Sequence, residues 1–102
     1  MNITPAIAKQ LETYTLKRPT EVLLIHTLDG EEEDQILIFK GFSSSLMHPT
    51  DFNPDNPVFS PNAELISIDR IQSPYLPNNP NYIEQNLPWS AMAQHLIAAG
   101  IQ

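Results

Sequence analysis

The chain has no cysteine, only three glycines and only five basic residues among its 102 positions. Without cysteine there is no disulfide, no thiolate metal site and no thiol nucleophile, and the absence fits a reducing compartment. The five bases (Lys9, Lys17, Arg18, Lys40 and Arg70) face twelve acids, which leaves a net charge of −7. Nucleic-acid binding rests on phosphate neutralisation by a basic patch, and docking on anionic lipid needs a polybasic segment. The one local group of bases, Lys9, Lys17 and Arg18, belongs to a single short predicted helix. Nucleic acid and anionic membrane are therefore not expected partners. Long apolar runs are also missing. None exceeds four residues, as in Val22 to Ile25, whereas a membrane-spanning helix needs roughly 20. The opening MNITPAIAKQLE has no basic region followed by an apolar stretch, so no secretory signal is expected and the cytoplasm is the expected location.

What is present is a 41% hydrophobic fraction and ten prolines. The length suits one domain, and residues 1–102 read as a single α+β unit. Thr4-Pro5 signals a helix start, with threonine as cap and proline at the first helical position. Ile7, Leu11 and Tyr14 recur at helical spacing, and Pro19 ends the pattern. A strand is predicted over about Thr20 to Leu28, a turn at Asp29-Gly30, and a second strand over Gln35 to Phe42. Both strands are apolar on two faces (Val22 and Leu24 against Leu23 and Ile25; Ile36 and Ile38 against Leu37 and Phe39). That pattern belongs to strands covered on both sides. Prolines at 49, 54, 57 and 61 mark a rigid, turn-rich loop over 47–62, anchored by Phe52, Val58 and Phe59. A third strand follows, about Ala63 to Gln72, with Ile66 and Ile68 on one face and Leu65 and Ile71 on the other. After a second proline-rich stretch, SPYLPNNPN, a final helix is predicted from Pro88 to Gly100. Its apolar stripe is Trp89, Met92, Ala93, Leu96 and Ile97. The simplest architecture is a small antiparallel three-stranded sheet flanked by an N-terminal and a C-terminal helix, with an SH3-like curled sheet as the competitor.

No feature carries obvious chemistry. The acidic cluster Glu31 to Asp34 lacks a calcium-loop pattern and reads as a solvated hairpin end that discourages edge pairing. His26, His48 and His95 have no metal-ligand spacing. No serine sits in a nucleophile-elbow pattern. Carboxylates that could pair, such as Asp51, Asp55, Glu64 and Asp69, are unremarkable in a chain with twelve acids. The reading is of a protein that is not an enzyme and needs no cofactor and no metal. Gly41 followed by Ser43, Ser44 and Ser45, beside Lys40, could present N–H groups and hydroxyls to an anion or nucleotide. The motif lacks the second glycine and the placed lysine of a phosphate loop, and a serine-rich turn satisfying its own backbone explains it equally. Arg70, alone among acids, suits an ion pair with Asp69 or Glu64, or a contact to a partner. With Phe42 and Tyr75 it forms the set expected to bind another protein, because rigidly held aromatics and arginine are common anchors.

The runs ILIFKGFSSSL (Ile36 to Leu46) and AELISIDRIQSPYLPNNPNYI (Ala63 to Ile83) resemble a small uncharacterised family of cyanobacteria with relatives in plant plastids. The resemblance is carried by Phe39, Gly41, Phe42, Ser43 to Ser45, the Ile68-Asp69-Arg70 strand, and Pro74, Tyr75, Pro77 and Pro80. The family brings no assigned activity, so it implies no catalytic residues. It implies a setting, the cyanobacterial cytoplasm near the stromal-type face of photosynthetic membranes. The expectation is a non-enzymatic accessory domain that binds a protein, with the small anion- or nucleotide-binding module as the alternative. The oligomeric state is left open.

Overall fold

Helix α1, Pro5–Lys17, starts where the sequence signals it: the Thr4 hydroxyl accepts from the Ile7 N–H at 3.2 Å, and proline occupies the first turn. This is a computed structural model, and it describes residues 1–46 and 63–101. The predicted loop over 47–62, with Phe52, Val58 and Phe59, lies outside the described residues, as do His48, Asp51 and Asp55.

Among the described residues, five strands follow or separate the helices: β1 (Glu21–Asp29), β2 (Glu32–Phe39), β3 (Phe42–Ser45), β4 (Glu64–Gln72) and β5 (Asn81–Leu87), before α2 (Trp89–Ala98). All neighbours are antiparallel, in the order β3-β2-β1-β4-β5. The α+β class holds, but the expected three strands are five. The predicted second strand, Gln35 to Phe42, is broken by a tight turn. Lys40 and Gly41 both have positive φ (50° and 83°), the backbone of a two-residue hairpin turn, so Phe42 begins a new strand instead of ending the old one. The serines expected as a loop are that strand. β5 was hidden in the stretch after the second proline cluster. Among the described residues β3 and β5 are the sheet's two edges, and no strand pair closes it into the curled alternative.

The first hairpin turns one residue later than the Asp-Gly signal suggests. Asp29 pairs with Glu32, leaving Gly30 and Glu31 as the turn. Strand pairing then sorts the apolar residues by face. Leu23, Ile25, Ile36, Ile38, Leu65 and Ile68 point to the helices and pack with Leu11, Tyr14, Met92 and Leu96. Val22, Leu24 and Ile71 are buried on the opposite face, with Leu37, Phe39 and Tyr75 against them. The two-faced pattern of the central strand thus has an apolar layer on each side. Ile66 does not share a face with Ile68 as the alternation predicted. A register shift opposite His26 and Thr27 inserts one extra residue in β4, and Ile66 is left 54% exposed.

The Lys40-Gly41 turn is tight in space as well as in angle. A Cβ at Gly41 would meet the Leu16 side chain at 3.0 Å, at a φ that L-residues adopt reluctantly. Gly41→Ala is therefore expected to lower stability by about 1–2 kcal/mol, read as a shift in the urea midpoint. An unchanged midpoint would show that this turn is not the hairpin turn described.

Candidate functional site

On the helix side of the sheet, polar groups form one connected network. Leu23 and Arg70 are cross-strand partners, so Arg70 points beneath the helices. Its Nε donates to Glu21 Oε1 at 2.9 Å and one terminal nitrogen donates to Glu84 Oε1. The Tyr14 hydroxyl donates to the same Glu21 oxygen at 2.7 Å, and His95 Nε2 lies 3.0 Å from Glu84 Oε1. α1, β1, β4, β5 and α2 each contribute one residue. Burial pushes the Tyr14 hydroxyl up to about 12, reinforced by its bond to Glu21 and by that carboxylate's charge. Burial alone would lower the Arg70 pKa; the bonds to Glu21 and Glu84 outweigh it and leave the net direction upward.

The Tyr14 shift has a consequence for stability. An acid whose pKa is higher folded than unfolded holds its proton more tightly in the fold. The stability it contributes is complete below pH 10 and is lost as the pH climbs through about 12. Urea unfolding between pH 9 and pH 12 is expected to show this falling limb, and Tyr14→Phe to flatten it. Equal slopes for both proteins would show that Tyr14 ionises as freely in the fold as in the unfolded chain.

On the opposite face the sheet holds a second polar arrangement, two of whose residues, His26 and Asn86, line a cleft. His26 Nε2 lies 2.8 Å from Asp69 Oδ2. The other oxygen of Asp69 accepts the Asn86 backbone N–H at 2.8 Å. Asp69 is buried, whereas the His26 side chain is 28% exposed. Asn86 reaches this position through a bulge in β5 and a positive φ of 58°, a conformation asparagine tolerates better than most residues. The cleft has a volume of about 300 Å³ and is lined by His26, Thr27, Leu28, Glu33, Asp34, Gln35, Ile66, Ser67 and Asn86. Beside it, Tyr82 has its pKa raised, first by burial and then by the negative charge of Asp69.

The sequence holds only part of this. Ser67 and Asp69 alternate on one strand, but bringing them to His26 requires the pairing of β1 with β4, and 43 residues separate His26 from Asp69. The partners of Arg70 are Glu21 and Glu84, not the sequence neighbours Asp69 and Glu64. Arg70 has its guanidinium on the helix side. Phe42 pairs with Phe39 and shares its face, the side on which Tyr75 packs. The three expected anchors are thus two on one face and one on the other. Phe42 is 80% exposed, the most open large apolar side chain described.

The alternative anion set is drawn into other contacts. Ser43 Oγ donates to Glu12 at 2.8 Å and Ser45 Oγ donates to Asp34 at 2.8 Å. Lys40 Nζ lies over the Phe39 ring, 5.2 Å from its centroid. Ser44 is paired with Leu37 on the cleft side. Two carboxylates beside the serines oppose an anion there. Among the described residues no group of three or more His, Asp or Glu is placed to hold a metal ion. No helix among them is long and apolar enough to cross a membrane.

A family model matches residues 8–96, from the first helix through all five strands and into the second. The chain belongs to the DUF7734 family, a domain of unknown function. No curated protein and no solved structure matches it. The family match includes both polar arrangements: Tyr14, Glu21, Arg70, Glu84 and His95 on the helix side, and His26, Asp69 and Asn86 on the cleft side.

Proposed function

We propose that this DUF7734 domain is a non-enzymatic accessory protein that binds another protein through the sheet face carrying Phe42 and Tyr75. The observation that carries the reading is Phe42. A phenylalanine that is 80% exposed on an edge strand adds little to the fold, but it is the kind of side chain that anchors an interface. It stands next to Phe39, which with Tyr75 packs on the buried Val22, Leu24 and Ile71. That backing makes the surface around the anchor rigid, which lowers the entropic cost of association. Arg70 supports this surface from behind by tying β1, β4 and β5 together, and is not itself the contact. The resemblance of the Ile36–Leu46 and Ala63–Ile83 segments to cyanobacterial and plastid proteins supports a cytoplasmic setting and a partner in a photosynthetic complex.

Affinity capture with the immobilised chain tests the reading, using soluble and solubilised membrane fractions of a cyanobacterium. Wild-type protein is expected to retain one stoichiometric partner. Phe42→Ala is expected to lose about tenfold or more in affinity, a change of roughly 1.4 kcal/mol or above. Its urea midpoint should stay within about 0.5 kcal/mol of wild type, as for exposed positions generally. Equal retention by wild type and variant would place the contact elsewhere.

A further inference from the structure

The charges of this chain are spread unevenly over the fold. β2 runs for eight residues, roughly 25 Å at about 3.3 Å per residue. At its start the β1–β2 turn gathers Asp29, Glu31, Glu32, Glu33 and Asp34. At its end stands Lys40, and α1 delivers Lys17 and Arg18 to the same place. The link is direct: the Gly41 N–H donates to the Thr15 hydroxyl at 2.9 Å, and the Leu16 side chain lies against Gly41. The Debye length is about 8 Å at physiological salt, so the acidic turn is screened from the basic end. Of the nearer acids, Glu21 is bonded by Arg70 beneath the helices, and Glu12 holds the Ser43 hydroxyl on the helix side. Lys17, Arg18 and Lys40 are all exposed, and among the described residues none of them is in an ion pair. A chain of net charge −7 thus carries a positive end.

Lys40 supplies a second observation. Its φ is 50°, at the first position of a two-residue turn whose backbone favours asparagine, aspartate or glycine. A lysine there costs stability, and an exposed cation–π contact with the Phe39 ring offsets only part of that cost. Asn-Gly would make the same turn without the strain. What lysine adds is a charge, held 5.2 Å from the Phe39 ring centroid and beside Phe42, the cross-strand partner of Phe39. Strain kept at an exposed charged residue points to a use for the charge. Phe42, 80% exposed, is the apolar anchor next to it, and Leu16, 61% exposed, flanks the turn.

We propose that this end of the sheet docks an acidic segment of a partner protein, with an apolar side chain of that segment on Phe42 and its carboxylates on Lys40, Lys17 and Arg18. The proposal rests on the reading of Phe42 as an interface anchor and adds the chemistry of the partner. Charge complementarity selects the acids, and the exposed ring beside the lysine selects the apolar residue among them. An anionic bilayer is a poorer match, because surface-charge binding takes clusters of roughly four to eight bases and this end has three. A peptide segment can instead bring one carboxylate to each base within hydrogen-bond range.

The test is an NMR titration of the labelled full chain with capped heptapeptides. The first has phenylalanine between two runs of three acids, the second has every acid replaced by its amide, and the third has alanine for phenylalanine. The first is expected to give saturable shifts at Lys40, Gly41 and Phe42 that weaken steeply with salt. The other two should bind about tenfold more weakly. Lys40→Asn is expected to lose about three- to fivefold in affinity while its urea midpoint stays or rises, because asparagine suits the turn better. A lysine that served the fold alone would give the opposite pair of results. Equal binding of the amide peptide, shifts that never saturate, or unchanged affinity in Lys40→Asn would each overturn the docking end. So would binding of phosphatidylglycerol vesicles in place of the peptide, or a sedimentation mass that grows with concentration and puts a second copy's acidic turn there. Partner capture lost in Phe42→Ala but intact in Lys40→Asn would overturn the acidic segment and leave the Phe42 surface standing. Capture intact in both variants would overturn the two together.

Discussion

Replacing Arg70 by methionine is expected to lower the unfolding free energy by about 3–5 kcal/mol, read as the shift in a urea unfolding curve. Domains of this size have roughly 5–15 kcal/mol in total, so the variant should be close to unfolding at ambient temperature. The physical reason is what would be left behind. Glu21 is 11% exposed at its side chain and bonded by both Arg70 and the Tyr14 hydroxyl. Removing the guanidinium leaves a buried carboxylate with one neutral donor. The effect should depend on Glu21 more than on Glu84, whose side chain is 39% exposed and screened by water. Glu84→Gln is therefore expected to cost below about 1 kcal/mol. Methionine at both 70 and 21 should recover much of the loss, because the uncompensated charge goes with its partner. If Arg70→Met alone cost under about 1 kcal/mol, the network would be behaving as a solvated surface pair, and its place under the helices would be wrong.

This network also shows how far a sequence can be read. α1 was legible because its signals are local: a capping threonine, a proline in the first turn and apolar residues at helical spacing. α2 was legible through its apolar stripe, of which Met92 and Leu96 are buried, with Gly100 at a φ of 81° just past its end. The two-faced apolar pattern of β1 correctly implied a sheet covered on both sides, since it is the central strand. The signals that failed were those settled by tertiary context. A lysine at positive φ in the Lys40-Gly41 turn concealed a second hairpin and with it β3. β5 carries two register shifts against β4, so its apolar residues do not alternate as a regular strand's do. Ile66 was assigned to the wrong face for a related reason, a bulge set by the partner strand. Site chemistry suffered most. The links from Glu21 to Arg70 and from His26 to Asp69 span 49 and 43 residues, and only strand order brings them together.

Asp69→Ala is expected to destabilise the fold by about 2–3 kcal/mol, through the loss of two buried contacts. Asp69 is 5% exposed and its two oxygens are divided between the His26 ring and the Asn86 N–H. An alanine removes both acceptors. His26, part-exposed, can turn towards water, but the Asn86 N–H belongs to a backbone held at a φ of 58° and cannot follow. That position matters because Asn86 is followed directly by Leu87 and Pro88, the last core residue of β5 and the cap of α2. The loss should therefore be local before it is global. Amide exchange is expected to quicken most at Leu87 and Met92 and least at Leu23 and Ile25 in the central strand. Asp69→Asn should fall between the two proteins, because its amide oxygen can still accept from Asn86 while its NH₂ group opposes a ring N–H. Uniform quickening across the sheet would show that Asp69 acts through general stability alone. Unchanged stability would show that the contacts of Asp69 with the His26 ring and the Asn86 N–H add nothing to the fold.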